Sequence, residues 1–167
     1  MYKIYMVMNK YLAYFTAFVI MFSVMYIPKN ITINAVNSPW YRCIRPEITP
    51  PNYIFPIVWT ILYILIGIAL AQTLLLPETQ VKYNLLLLYF VNLTCNVLWS
   101  FLYFKQQDLM TAFLVLLLII ITTTFILYYT YNTLPRWVFN ILIPYKAWIL
   151  FAAVLYYLSM GKKCLIV

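Results

Sequence analysis

Trp59, Tyr63 and Gly67 recur at four-residue intervals, so on a helix a large ring, a phenol and a bare backbone position share one face. Asn92, Asn96 and Ser100 repeat that interval with Trp99 beside them. Trp148, Phe151, Ala152 and Leu155 follow the i, i+3, i+4, i+7 pattern of a single stripe. Rings stack on flat apolar molecules and amides orient a polar edge, so the chemistry open to these sets is binding. The same spacing also serves packing. Tryptophan and tyrosine near helix ends anchor at the membrane interface, and asparagine pairs between membrane helices for about 1 kcal/mol.

Other chemistries lack their parts. The chain has no histidine, which removes the commonest haem ligand and the usual neutral-pH general base. Its three carboxylates, Glu47, Glu78 and Asp108, lie outside or at the edges of the apolar runs, which leaves proton-relay transport and acid/base hydrolysis without groups. Two glycines, Gly67 and Gly161, make no phosphate loop, so a nucleotide-driven pump is excluded. Cys43, Cys95 and Cys164 show no Cys-x-x-Cys spacing, and neither a disulfide framework nor a metal site follows. Cys95 reads as a small packing residue. The other two read as free thiols near the membrane surface, Cys164 beside Lys162 and Lys163 as a palmitoylation candidate. Lys146 is the anomaly, a cation inside an apolar run just after Pro144. Such a residue marks a site or snorkels along a proline kink.

The elements that carry these residues follow from composition. Of 167 residues, 66% are hydrophobic and 8% charged, with mean hydropathy +0.92, too little polar surface for a globule in water. On the ruler of about 20 apolar residues per bilayer crossing, five helices are expected, over roughly 8–27, 50–76, 83–104, 109–131 and 137–160. Continuous apolar runs such as Leu85 to Leu88 lack the alternation of a membrane barrel. The connectors Pro77 to Lys82, Lys105 to Asp108 and Asn132 to Arg136 are short, which makes consecutive helices antiparallel neighbours. The expected fold is an all-α integral membrane protein, a five-helix bundle forming a single domain over residues 1–167, with a long structured loop between its first two helices.

Lys3 and Lys10 precede the first apolar run as in a signal peptide, but SVMYIPKN after it offers no small-residue cleavage site, so a retained helix is expected. The net charge of +8 is scattered at helix ends, which suits lipid headgroups as partners and not nucleic acid. Lys29, Arg42, Arg45, Lys105, Lys162 and Lys163 fall on one side, against Lys3, Lys10, Lys82 and Arg136 on the other. The positive-inside rule then expects the N-terminus outside and the C-terminus in the cytosol. That orientation puts the Asn30-Ile31-Thr32 sequon on the unglycosylated side.

The connector from Pro28 to Glu47 differs from the others, because a loop of such length in a compact domain is functional or disordered. Trp40, Tyr41 and Ile44 argue for order. From there the chain runs Trp40-Tyr41, Arg45-Pro46, Pro50-Pro51, Val58-Trp59, Leu62-Tyr63 and Gly67. The third helix carries Asn96, Trp99, Tyr103 and Phe104, and the fifth Pro144, Tyr145, Trp148, Phe151 and Ala152. In these three ordered blocks the chain resembles the translocator protein family, also called tryptophan-rich sensory protein or peripheral benzodiazepine receptor.

The resemblance implies a five-helix bundle, commonly a homodimer, whose pocket is roofed by the loop between helices one and two. It implies a receptor or carrier for porphyrins such as protoporphyrin IX, with no cofactor required. Metal-free porphyrin is expected because no histidine can ligate iron. The resemblance implies Trp59, Tyr63, Asn96, Ser100, Trp148, Ala152 and Leu155 as ligand-binding residues, and the loop and helix faces read above add Trp40, Asn92, Trp99 and Phe151 to the expected set. Two alternatives follow from the same resemblance. One is an enzyme that degrades porphyrin with light and oxygen, in which Trp59 and Trp148 supply electrons. The other is a cholesterol or lipid translocator or scaffold, for which Leu155, Tyr157 and Lys162 match a permissive sterol pattern. The chain departs from the family pattern in several places. The interval from Trp40-Tyr41 to Arg45-Pro46 is one residue short, Pro56 sits one position early, Asn92 stands where glutamine is common, and Tyr156 where asparagine is usual.

Overall fold

The computed structural model describes residues 8–160 and Lys162. Expectations placed on Lys3, Lys163 and Cys164 lie outside the described residues. Seven α-helices follow one another: α1 (Lys10–Tyr26), α2 (Lys29–Ala35), α3 (Pro39–Ile44), α4 (Ile54–Leu74), α5 (Gln80–Ser100), α6 (Leu109–Thr133) and α7 (Arg136–Met160). A π-helical segment, Phe101–Gln106, extends α5. Five stretches are long and apolar enough to cross a membrane, and the chain is an integral multi-pass membrane protein, all-helical as expected.

Short polar side chains start the helices. Asn9 accepts from Tyr11 N at 2.8 Å to open α1, Ser38 from Tyr41 N at 3.1 Å to open α3, and Thr79 from Lys82 N at 3.3 Å to open α5. Asp108 opens α6 by accepting from Thr111 N at 3.0 Å. Hydrogen bonding by Thr111, from side chain and backbone, holds the Asp108 carboxyl below its usual range. The helix expected from Pro50 begins instead at Ile54. Residues Pro46 to Pro51 form turns in which Pro46 O accepts from Thr49 N and Pro51 O from Ile54 N.

The long helices form one bundle in which α1 packs on α4, α4 on α7, α7 on α6 and α6 on α5. Along α1 the buried residues are Ala13, Ala17, Met21 and Val24, a stripe of mostly small side chains that lets the backbones approach. Gly67 of α4 meets this stripe: a Cβ there would stand 3.0 Å from Met21 Cγ. The glycine therefore serves the α1–α4 seam.

The connector between the first two membrane helices is not an open loop but the pair α2 and α3, hereafter the lid. It sits at the end of the bundle where α1 and the extension of α5 finish and α4 and α6 begin. Asn52 Nδ2 donates to Val36 O at 3.4 Å, and Lys162 Nζ to Arg45 O at 2.8 Å, so the lid is tied to the start of α4 and to the end of α7. Cys43 on α3 is disulfide-bonded, which corrects the free thiol expected there; Cys95 is buried and free.

At the opposite end, Glu78 accepts from buried Lys82 Nζ at 2.6 Å and from the Tyr83 hydroxyl at 2.7 Å, closing the α4–α5 connector. The Arg136 guanidinium lies 3.2 Å from the centre of the Tyr131 ring across the α6–α7 turn.

Candidate functional site

Helix spacing on α4 and α7 brings aromatic rings together where the two helices meet. Trp59 stacks on Tyr63 with ring centres 5.2 Å apart and meets Tyr145 edge-on at 6.4 Å. Trp148 packs against Phe55 at 5.8 Å and Phe151 at 5.6 Å. Beside these rings a crevice of about 450 Å³ opens between the helices, lined by Val58, Ile61 and Leu62 of α4 and Pro144, Ala147, Trp148 and Phe151 of α7. Every lining side chain is apolar, and its volume falls within the roughly 300–1,000 Å³ of small-molecule pockets.

Behind the rings lies a buried polar network. Asn92 Nδ2 donates to Ile119 O at 3.2 Å, Thr122 Oγ1 at 2.8 Å and Thr123 Oγ1 at 2.9 Å. Its Oδ1 accepts from the Tyr145 hydroxyl at 2.7 Å and from Asn96 Nδ2 at 3.3 Å. Asn96 Nδ2 also reaches Asn92 O and the Tyr145 hydroxyl, each at 2.8 Å. The two amides thus join α5 to α6 and α7, and through Tyr145 they touch the Trp59 ring. Ser100 turns back on its own helix, donating to Asn96 O at 3.3 Å.

A second aromatic cluster fills the space beneath the lid. Trp40, Tyr41 and Ile44 of α3 pack with Leu102 and Tyr103 of the π-helical segment, Ala112 and Leu116 of α6, and Tyr156 of α7. Trp40 meets Tyr103 edge-on at 5.6 Å, and Trp99 stacks flat on Tyr103 at 4.8 Å. The segment ends at Gln107, whose left-handed φ of 57° breaks the helix.

The candidates read from sequence therefore fall into separate places. Trp59, Tyr63, Trp148 and Phe151 gather at the α4–α7 junction; Asn92 and Asn96 bond between helices; Trp40 and Trp99 belong beneath the lid. Ala152 and Leu155 are half-buried on α7. Of the sterol pattern, Tyr157 is 75% exposed on the outside of α7, while Lys162 is bonded to the lid. Tyr145 links rings to amides and Tyr156 fills the sub-lid cluster, yet the sequence reading places neither among the ligand-binding residues. Tyr145 precedes Trp148 by three positions and Ala152 by seven, a helical spacing that could have added it to the stripe.

Lys146 has a structural partner. Its Nζ donates to Ile120 O at 2.9 Å and Thr124 Oγ1 at 2.6 Å on α6. The expected interruption at Pro144 does not occur, since α7 runs unbroken through it; packing from neighbours lets membrane helices keep an internal proline. Lys146→Met is expected to leave stability within about 1 kcal/mol of the parent or to raise it, because a desolvated cation disappears together with two bonds. Thermal unfolding in detergent checks this, and a large drop would make those two bonds important to the α6–α7 contact.

Comparison with known proteins agrees with this arrangement. The profile of the TspO/MBR family matches residues 14–159. The tryptophan-rich protein TspO of Archaeoglobus fulgidus is 33% identical over 120 residues, covering 70% of this chain and 74% of its own. The protein of the same name from Chlorobaculum tepidum is 32% identical, covering 71% and 76%. Protein CrtK of Rhodobacter capsulatus is 31% identical over 139 residues, covering 77% of this chain and 85% of its own. A five-span bundle, paired aromatic faces on its second and fifth spans, and a family match along nearly its whole length together make this chain a member of the TspO/MBR family.

Proposed function

We propose that this membrane protein is a receptor or carrier for porphyrins, taking a metal-free, protoporphyrin IX-like tetrapyrrole at the α4–α7 junction. The observation that supports this reading best is the apolar crevice of about 450 Å³ walled by Trp148 and Phe151, with the Trp59–Tyr63 stack on the adjoining residues of α4. A porphyrin is a flat, wide apolar ring whose burial is driven by area and by offset or edge contacts with aromatic side chains. Rings contributed by two facing helices suit it better than they suit a flexible chain. Binding alone needs no acid, base or metal, which fits the side chains at the junction.

The test is a titration of protoporphyrin IX into the purified protein, read by porphyrin absorbance so that removing a tryptophan does not remove the signal. Micromolar or tighter binding is expected. Trp148→Ala should weaken it about 30-fold, equivalent to about 2 kcal/mol, and Trp59→Phe about three- to tenfold, near 1 kcal/mol. Undiminished affinity in both variants would remove the porphyrin from this junction.

A further inference from the structure

We propose that Lys146, held in place by Ile120 and Thr124, is an anion site on the membrane-facing side of the α6–α7 seam, and that it takes the carboxylate of a lipid-dissolved long-chain acid. The site is separate from the porphyrin reading above. The apolar crevice lies between α4 and α7, whereas Lys146 reaches the other way, to α6.

Depth carries the inference. Helices α6 and α7 have 25 residues each, about 37 Å at 1.5 Å per residue, so they overhang a hydrocarbon core of about 30 Å by a few ångströms at either end. Lys146 sits about 15 Å along α7 from Arg136, and Thr124 about 13 Å along α6 from Thr133, the neighbouring end of that helix. The two are level with each other, roughly 10 Å inside the hydrocarbon. A lysine that snorkels bends toward the nearer interface. This one reaches across to Thr124 Oγ1 at 2.6 Å and to Ile120 O at 2.9 Å, and Ile120 is one turn deeper than Thr124.

The cation is thus kept at depth with neutral partners. An ammonium has three hydrogens to donate and these acceptors take two. The Thr124 hydroxyl donates its own hydrogen to Ile120 O at 2.7 Å, so it serves Lys146 as an acceptor. No acidic side chain of this chain neutralises the charge: Glu78 pairs with Lys82, Asp108 caps α6 at the lid end, and Glu47 is exposed on the segment after α3. A second copy of the chain offers acidic side chains at the same positions, away from mid-membrane. An unpaired cation in hydrocarbon is costly and marks a site, so the missing anion arrives on a molecule dissolved in the lipid.

The surroundings define that molecule. Leu150 and Val154 continue from Lys146 along α7 at four-residue intervals, 46% and 50% exposed, and Leu117 and Ile121 precede Thr124 on the same face of α6, 38% and 51% exposed. All four lie on the lid side of the cation, so an apolar strip leads away from it in one direction. A phospholipid keeps its phosphate at headgroup level, too shallow for this nitrogen. A fatty acid carries a single carboxylate at the end of an apolar tail, which matches one cation at the end of one apolar strip. The carboxylate accepts the remaining ammonium hydrogen as a charge-assisted bond while the tail covers the strip.

The experiment adds oleic acid or methyl oleate, at equal mole fraction, to detergent micelles holding the full chain, and counts adducts by native mass spectrometry. The proteins are the parent, Lys146→Met and Lys146→Arg, and thermal unfolding verifies that both variants fold. The parent is expected to retain one oleate per chain with a preference of about tenfold or more over the ester. Lys146→Met should lose that preference, and Lys146→Arg, which keeps the charge, should stay within about threefold of the parent. A preference that survives in Lys146→Met places the acid elsewhere on the chain and overturns the site. Equal retention of acid and ester by the parent overturns it too, and leaves the Lys146 nitrogen to Ile120 and Thr124 alone. Displacement of oleate by an equal mole fraction of phosphatidylglycerol gives the site to a headgroup and overturns the choice of ligand.

Discussion

Replacing Asn92 with leucine is expected to lower the stability of the bundle by about 2–3 kcal/mol, seen as a fall in the thermal midpoint on the order of 5–10 °C. The two side chains share one branched skeleton of heavy atoms, leucine being the bulkier, so the loss comes chiefly from hydrogen bonds. Asn92 is 1% exposed, and its amide hydrogens serve three acceptors on α6 while its oxygen takes the Tyr145 hydroxyl of α7. Thr122 and Thr123 keep acceptors for their own hydroxyls at Leu118 O and Ile119 O. Tyr145 does not: without Asn92 its hydroxyl still accepts from Asn96 but loses the carbonyl oxygen to which it donates at 2.7 Å, in a residue 2% exposed. Leaving that donor unmet should cost more than a typical interhelical bond. Tyr145→Phe removes the same hydroxyl and should cost less, and the double variant should lose less than the sum of the two, as residues in one network do. An Asn92→Leu protein as stable as its parent would mean that the three helices are held by packing alone.

The second large effect is expected at Gly67. Its neighbour across the α1–α4 seam is Met21, whose Cγ would stand 3.0 Å from a new Cβ. Alanine there needs Met21 to yield by a few tenths of an ångström, and alanine's better helix propensity offsets that by about 1 kcal/mol, so Gly67→Ala should be near neutral. Leucine adds a branched group with nowhere to go and should cost about 1–3 kcal/mol by overpacking. Adding Met21→Ala to Gly67→Leu should restore much of the loss, since it empties the volume that the leucine seeks. Failure of that rescue would place the clash somewhere other than the seam. Porphyrin affinity in Gly67→Ala should be unchanged, because the glycine is spent on α1.

That last point shows how far the one-dimensional pattern reaches. Trp59, Tyr63 and Gly67 share a helical stripe, and the stripe suggests one wall; in the folded chain the rings lie at the α4–α7 junction while the glycine meets α1. A face at four-residue spacing drifts around the helix, so successive members reach different neighbours. Asn92 and Asn96 likewise read as amides offered to a ligand, and the structure gives them to Thr122, Thr123 and Tyr145. Nothing local to α5 announces that α6 carries two adjacent threonines at the matching height.

The sequence by itself determined the number of spans, the lid as an ordered segment, and the family to which three blocks of residues point. These follow from a bilayer that leaves the backbone no alternative to helices, and from side chains whose spacing is set by one helix at a time. Only the tertiary structure decided which helices touch and what each polar group therefore does. It gave Lys146 its two acceptors on α6, put Cys43 in a disulfide and separated the α4–α7 rings from the cluster beneath the lid. Among the buried groups on α5 and α7 it left Tyr89, Trp99 and Tyr156 without hydrogen-bond partners. The reason is physical: in an apolar medium a polar atom must bond to whatever the packing brings within about 3 Å, and the partner can be far away in the chain.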